Sequence, residues 1–429
     1  MRRIHCAPTV YESVSVLRST ALAPVLAIAL GVTAIGCGGA EAATSSGQGD
    51  GGADALADAG SAEGGDEGEP EGGEPWLAVP LSACVPSEYT APVKIGATQT
   101  FNLAIDTGST TLGVASSSCT SCNVSPEYSP GSTATNENQK VNAQYGSGQW
   151  SGEIYLDTVA VGPEEAVPVK LGAISSQSEF FTPASCTPEK GVQGILGLGP
   201  AGAAEQGTNG YFDDLVSTAK VPNVFAVQLC ESSGTLWLGG YDPAATTAAP
   251  VYTPLNAELG NYYYAVDLAS ITVNGTSVPV ATSSTPDSIV DTGTSIFILP
   301  TPAYTALTNA IVADTAFQSA FGSSASTFFS GGPGNCLAIS KTKAELDSSL
   351  PALTLVFGSG QSSVSVQAAP TESYLIQQDN AWCSALYGLA AGSEGPIAGI
   401  MGSPVLKSNV VIFDRANKRI GFAPHTPCK

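Results

Sequence analysis

The tripeptide Asp-Thr-Gly occurs twice in this chain, at Asp106-Thr107-Gly108 and Asp291-Thr292-Gly293, and the two copies share their surroundings. Each closes an apolar run, Phe101-Asn102-Leu103-Ala104-Ile105 in the first case and Ser288-Ile289-Val290 in the second. Each is followed by hydroxyl residues, Ser109-Thr110 and Thr294-Ser295. Farther along, two apolar residues and a glycine answer each copy: Ile195-Leu196-Gly197 and Ile400-Met401-Gly402. One Asp-Thr-Gly is what a turn at a strand end often contains. Two with matching flanks make an internal repeat, so the chain is expected to fold as two related halves. The 48 glycines and 29 prolines among 429 residues favour short strands and many turns over long helices. The expected architecture is all-β and bilobal, with an N-terminal lobe at 76–245, a C-terminal lobe at 246–429 and a pseudo-twofold relation between them.

Histidine narrows the chemistry. The chain has two, His5 near its start and His425 near its end. A Ser-His-Asp triad, a Cys-His pair or a zinc site built on histidines therefore has almost nothing to work with. Hydrolytic chemistry falls to carboxylates, hydroxyls or lysines. A repeat that delivers one Asp from each half to a common point gives two like acids that cannot both ionise easily and so share a proton. The ionised member takes a proton from a water attacking a peptide carbonyl. The protonated member polarises that carbonyl and later supplies a proton to the departing nitrogen. Asp106 and Asp291 are the candidate catalytic pair. Gly108 and Gly293 let backbone amides approach the carboxylates, and Thr107 and Thr292 are expected to hydrogen-bond across the halves and fix the geometry. No metal and no cofactor is called for. A glycosidase also uses paired carboxylates, but in dissimilar settings, whereas these two are near-duplicates.

Charge and the first 75 residues bear on partners and address. Lys and Arg number 15 against 37 Asp and Glu, a net charge of −22 that repels phosphate backbones, so no nucleic-acid partner is expected. Arg2, Arg3 and Arg18 precede an apolar run from Ala21 to Ile35, a length that suits a signal-peptide core and is short for a membrane span. The run ends in Ala34-Ile35-Gly36-Cys37, which resembles a bacterial lipobox in which Cys37 is lipidated and becomes the new N-terminus. Cleavage after Ala42 is the alternative. Residues 1–37 are thus read as a lipoprotein-type signal peptide. Residues 38–75, with ten acids and no base, are read as a disordered tether. The protein is expected to be exported, as a bacterial outer-membrane or cell-surface lipoprotein or in secreted form. It would touch a membrane through the anchor alone and work as a monomer. Besides Cys6 and Cys37 there are eight cysteines, an even number that in an exported chain reads as disulfides. Cys119-Thr120-Ser121-Cys122 has no second CxxC, neighbouring His or βαβ pattern to make it a zinc or redox motif.

From about residue 76 to the end, the sequence resembles the pepsin family of aspartic peptidases. Beside the two Asp loops, Tyr145-Gly146-Ser147-Gly148 resembles the family's flap, a hairpin that closes over substrate, with Tyr145 as the flap tyrosine. Gln193-Gly194-Ile195-Leu196-Gly197-Leu198-Gly199 is similar to the segment threading behind the first Asp loop. Residues 411–423 are similar to the family's C-terminal strands, most closely to pepsin and the beta-secretases. The resemblance implies the bilobal acid-protease fold and an endopeptidase favoured at acidic pH. Its substrate would be an extended polypeptide, held as an added strand. Gly108, Ser109, Gly293, Thr294 and Ser295 match positions that line the cleft. The resemblance also pairs Cys230 with Cys428 and Cys336 with Cys383. Cys119 with Cys122 suits the small loop after the first Asp, which leaves Cys84 with Cys186. Two departures stand out. The family usually has a Trp seven positions after the first Asp, bonded to the flap tyrosine; here that position is Gly113, and Trp150 on the flap is the candidate to compensate. The second half also spaces its repeat more widely, which implies an insertion around 315–335. A non-cleaving binding or inhibitor-like module on the same fold is the rival reading, but such relatives commonly lose one Asp or its hydroxyl neighbours, and both triplets are intact here.

Overall fold

A computed structural model describes residues 76–84, 88–181, 191–280, 287–360, 363–378, 380–389 and 397–428. Residues 1–75, on which the expected signal peptide, Cys37 and the expected tether fall, lie outside the described residues. So does Cys186, and with it the Cys84–Cys186 pair.

Strands dominate. The first half holds β1 (Leu77–Cys84), β2 (Glu88–Ile95), β3 (Gln99–Asp106), β4 (Gly113–Ala115), β5 (Thr135–Gln144), β6 (Gln149–Val161), β7 (Val167–Ser178), β8 (Gly194–Gly197), β9 (Val224–Leu229) and β10 (Ser233–Leu238). Alternation drives them. In β3, Phe101, Leu103 and Ile105 are buried while Asn102 and Ala104 are half-exposed, the period of two that puts one face of a strand against a core. Helices are short, and the longest described one, Thr301–Val312, has twelve residues.

One motif appears twice. In the first half β8 runs between β3 and β4, parallel to β3 (Asp106 opposite Gly197) and antiparallel to β4 (Gly113 opposite Ile195). In the second half Gly399–Met401 runs between Ser288–Val290, parallel (Val290 opposite Met401), and Phe297–Pro300, antiparallel (Phe297 opposite Met401). The Ile-Leu-Gly and Ile-Met-Gly segments of the repeat are those central strands. Each holds down the strand that carries an Asp and the strand that leaves its loop. The loop's ends are therefore fixed from both sides.

A thirteen-stranded sheet runs in the order Val251–Pro254, Arg419–Pro424, Asn409–Asp414, β9, β10, β1, β2, β3, β8, β4, β7, β6, β5. Its C-terminal strands thus pair directly with β9, Val411 opposite Val227 and Phe413 opposite Phe225. The Phe225 and Phe413 rings stack at 4.5 Å, and the buried Tyr264 hydroxyl donates to the Leu198 carbonyl at 2.7 Å. These contacts bind the last strands of the chain to its first half.

The region around 315–335 is a helix (Thr315–Phe321) followed by two 3-10 turns. Phe317, Phe321, Phe328 and Phe329 pack there as a buried aromatic cluster, with Phe317 stacked on Phe321 at 4.2 Å. Disulfides join Cys119–Cys122, Cys230–Cys428 and Cys336–Cys383.

Candidate active site

Asp106 is the last residue of β3, and Asp291 follows directly on the strand Ser288–Val290, so each acid leaves a strand that the central strand of its motif pins. The Asp106 carbonyl accepts from Leu198 N, and Asp291 N donates to the Met401 carbonyl. The two carboxyls meet with 5% and 7% of each residue exposed. Their surroundings match bond for bond. Gly108 N donates to Asp106 Oδ1 at 2.8 Å, and Gly293 N to Asp291 Oδ1 at 2.8 Å. Ser109 Oγ donates to Asp106 Oδ2, and Thr294 Oγ1 to Asp291 Oδ2 at 2.6 Å.

The loops also interlock. Thr107 Oγ1 donates to the Val290 carbonyl at 2.9 Å and accepts from Thr292 N at 3.0 Å. Reciprocally, Thr292 Oγ1 donates to the Ile105 carbonyl at 2.9 Å and accepts from Thr107 N at 3.1 Å. Both threonines are 1% exposed, so none of these four bonds competes with bulk water. Each loop glycine faces the opposite acid. A Cβ on Gly108 would stand 2.7 Å from Asp291 Cγ, and one on Gly293 2.5 Å from Asp106 Oδ1. Any side chain at either position would push the carboxyls apart, which is the physical demand behind glycine in both triplets.

Burial, then the Asp291 charge, hold the Asp106 carboxyl well above the usual carboxylate range. A hydrogen bond with Asp291 adds to this, and the bonds from Ser109 and Gly108 oppose it. A proton resting between two acids is the arrangement that lets one of them be neutral while the other is charged.

A model of the family described as eukaryotic aspartyl protease matches residues 88–425, which takes in both loops. The chain belongs to that family. It is 31% identical to an aspartic protease of Phaffia rhodozyma over 79% of this chain and 76% of that one. To a beta-secretase of Strongylocentrotus purpuratus it is 29% identical, over 79% and 66%. To pepsin A of Gallus gallus it is 28% identical, over 80% and 86%. As an aspartyl protease of this bilobal, all-β type, the chain is an aspartic-type endopeptidase, a hydrolase acting on polypeptides.

In this aspartyl protease the β5–β6 hairpin carries Tyr145 at its turn, closed by a Tyr145 N to Gly148 carbonyl bond of 2.8 Å; Gly146 at the tip is exposed. Trp150 Nε1 donates to the Tyr145 hydroxyl at 3.3 Å, and that hydroxyl is also hydrogen-bonded with Ser109, linking the hairpin to Asp106. Burial and the neighbouring Asp106 keep the Tyr145 hydroxyl protonated at any working pH. The indole of Trp150 fills the space over Gly113. A Cβ there would stand 2.8 Å from its Cζ2, and one on Gly172 2.6 Å from its Cη2. Gly113 is thus the vacated side of an exchange in which the ring arrives from the hairpin instead.

Gly108, Ser109, Thr294 and Ser295 are half-buried and Gly293 exposed, around the pair. A cavity of about 590 Å³ opens beside Asp106, lined among others by Tyr145, Phe180, Phe181, Val124 and Glu88. Phe180, Phe181 and Glu88 carry no sequence motif; only tertiary folding brings the end of β7 and the start of β2 to one cleft. Tyr263 is a further neighbour missed in the sequence, its hydroxyl shifted upward by burial and by the charge of Asp291.

Proposed function

We propose that Asp106 and Asp291 together are the catalytic machinery of this endopeptidase, and that it works at acidic pH. The observation that carries the reading is the matched, interlocked pair of loops that sets the two buried carboxyls side by side. The substrate peptide lies extended across the cleft between the halves 76–245 and 246–429, beneath the Tyr145–Gly148 hairpin. A water between the carboxyls gives a proton to the ionised acid as its oxygen bonds to the carbonyl carbon. The protonated acid donates to the carbonyl oxygen. Collapse of the resulting diol breaks the C–N bond, and a proton passes to the departing nitrogen. The proton is a property of the pair, and activity falls as rising pH removes it.

Cleavage of an acid-denatured protein at about pH 3–5 tests this. Asp106→Asn and Asp291→Asn are each expected to lose about 1,000-fold or more in kcat/KM while keeping the wild-type thermal midpoint or exceeding it. Turnover undiminished in either variant contradicts the reading. The address is a separate proposal, resting on the Ala34-Ile35-Gly36-Cys37 pattern alone: the mature enzyme is anchored through Cys37. Mass spectrometry of its N-terminus distinguishes a diacylated Cys37 from a start near Ala43.

A further inference from the structure

Gln177 lies near the end of β7, directly opposite Trp150 on β6. Its side chain ties two further segments together. Nε2 donates to the Ser121 carbonyl at 2.7 Å, and Oε1 accepts from Phe180 N at 3.0 Å and from Phe181 N at 3.2 Å. Two backbone N–H groups on one side and a carbonyl on the other leave the amide only one way round. The acceptor is itself held. Ser121 sits between Cys119 and Cys122, whose disulfide closes the loop, and Ser121 Oγ accepts from Gln177 N at 3.3 Å.

What the amide holds is the bend after β7. The Phe180 ring packs on Tyr145 at 5.3 Å between centroids, on Trp150 at 6.5 Å and on Phe181 at 4.9 Å. The turn of the β5–β6 hairpin rests on the same bend: a Cβ on Gly148 would stand 2.4 Å from the Glu179 carbonyl oxygen. Phe180 and Phe181 also line the cavity beside Asp106, whereas Gln177 does not. Hairpin turn and cleft wall therefore lean on one bend, and a single side chain meets the two backbone N–H groups that shape it.

We propose that Gln177 is a positioning residue: by holding the Phe180–Phe181 bend to the disulfide loop, it sets the wall on which Tyr145 and the substrate rest. The inference rests on the cleft being the substrate site, and it adds to that reading a residue that acts through others.

Gln177→Glu separates this role from plain packing. Below the ordinary glutamate titration, about pH 4.3, the carboxyl is protonated and has the shape of the amide. Its O–H donates to the Ser121 carbonyl while its other oxygen accepts. Above that titration the carboxylate has no proton to donate and faces the Ser121 oxygen unpaired. Burial moves the titration upward and leaves the sign unchanged. Among the described residues packed there, the loop 117–123 and the hairpin stretch 146–151 carry no charged side chain. The bend carries Glu179, which is exposed, and the hydroxyl of Tyr145 stays protonated.

The test is kcat and KM for a quenched fluorescent peptide, read from about pH 3 to 6 in the wild type, Gln177→Leu and Gln177→Glu. Gln177→Leu should raise KM about tenfold at every pH, with kcat within about twofold of the wild type. In Gln177→Glu, KM should match the wild type near pH 3 and climb toward the Gln177→Leu value near pH 6. Taking each variant relative to the wild type at one pH cancels the titration of the catalytic pair. A variant that merely folds less loses kcat and keeps its KM. Should Gln177→Leu not fold, the trend in Gln177→Glu decides alone, because at low pH that variant retains every bond. A KM in Gln177→Glu that tracks the wild type throughout, or is raised equally at pH 3 and 6, overturns the proposal, as does a Gln177→Leu that lowers kcat with KM unchanged. Such results with a wild type that cleaves sink the role of Gln177 alone; a wild type that cleaves no peptide sinks the catalytic reading with it.

Discussion

Thr107 and Thr292 each hold two buried bonds to the opposite half, and the bonds are reciprocal. Replacing Thr107 with Val keeps its shape but strands the Thr292 N–H and the Val290 carbonyl without partners. A cost of about 1–3 kcal/mol is expected, read as a lower midpoint in chemical denaturation. Thr107→Val with Thr292→Val should cost less than the sum of the single changes, since the second removes groups the first has already unsettled. That these threonines reach across the halves is legible in the sequence, because the repeat places the same hydroxyl beside the same acid twice. Their acceptors are not. Ile105 and Val290 read as apolar strand residues, and nothing in a side-chain pattern says which carbonyl a hydroxyl will find. Glu88 and Tyr263 were hidden for a related reason: an isolated acid or tyrosine is common on any strand, and only the folded neighbourhood distinguishes it.

At the scale of the element, the hairpin of β5 and β6 is held by one ring. Trp150 is 2% exposed and lies in a small core with Val141, Ala143, Ile154, Ile174 and the Cys119–Cys122 disulfide. Removing it as Trp150→Ala should cost about 3–5 kcal/mol, because Gly113 and Gly172 offer no side chains to refill the space. Trp150→Phe keeps much of the packing and loses the N–H that meets Tyr145, so kcat/KM is expected to fall by about three- to tenfold with a smaller change in stability. Gly113→Ala should destabilise the wild type by about 1–3 kcal/mol through overpacking and be tolerated in Trp150→Ala, a crossed pair that thermal unfolding can score. The hairpin could be read from Tyr145-Gly146-Ser147-Gly148 between two alternating runs. The exchange of ring positions could only be suspected, since Gly113 marks the gap without showing what fills it. The helix at Thr315–Phe321 likewise follows from four phenylalanines that bury each other, a pattern that spacing alone presents merely as extra length.

For the molecule as a whole, acidity and burial act together. Burial raises the carboxyls of Glu88, Asp106, Glu164, Glu205, Asp214, Asp267 and Asp287 above their unfolded values. A raised acid binds its proton more tightly when folded, so its contribution is intact below the unfolded value and is lost as pH climbs through the folded one. The thermal midpoint is therefore expected to be highest in mild acid and to fall toward neutral pH, where a net charge of −22 adds self-repulsion. A midpoint that rises from about pH 4 to 7 contradicts this. The central claim, one proton held jointly by acids from the two halves, can be read directly by following aspartate carboxyl carbons by NMR through a pH titration. The Asp106 signal is identified by its absence in Asp106→Asn. In the wild type its titration should lie above the ordinary carboxylate range, and in Asp291→Asn, with the neighbouring charge gone, it should move down. An Asp106 that titrates in the ordinary range, or at the same pH in both proteins, contradicts the account.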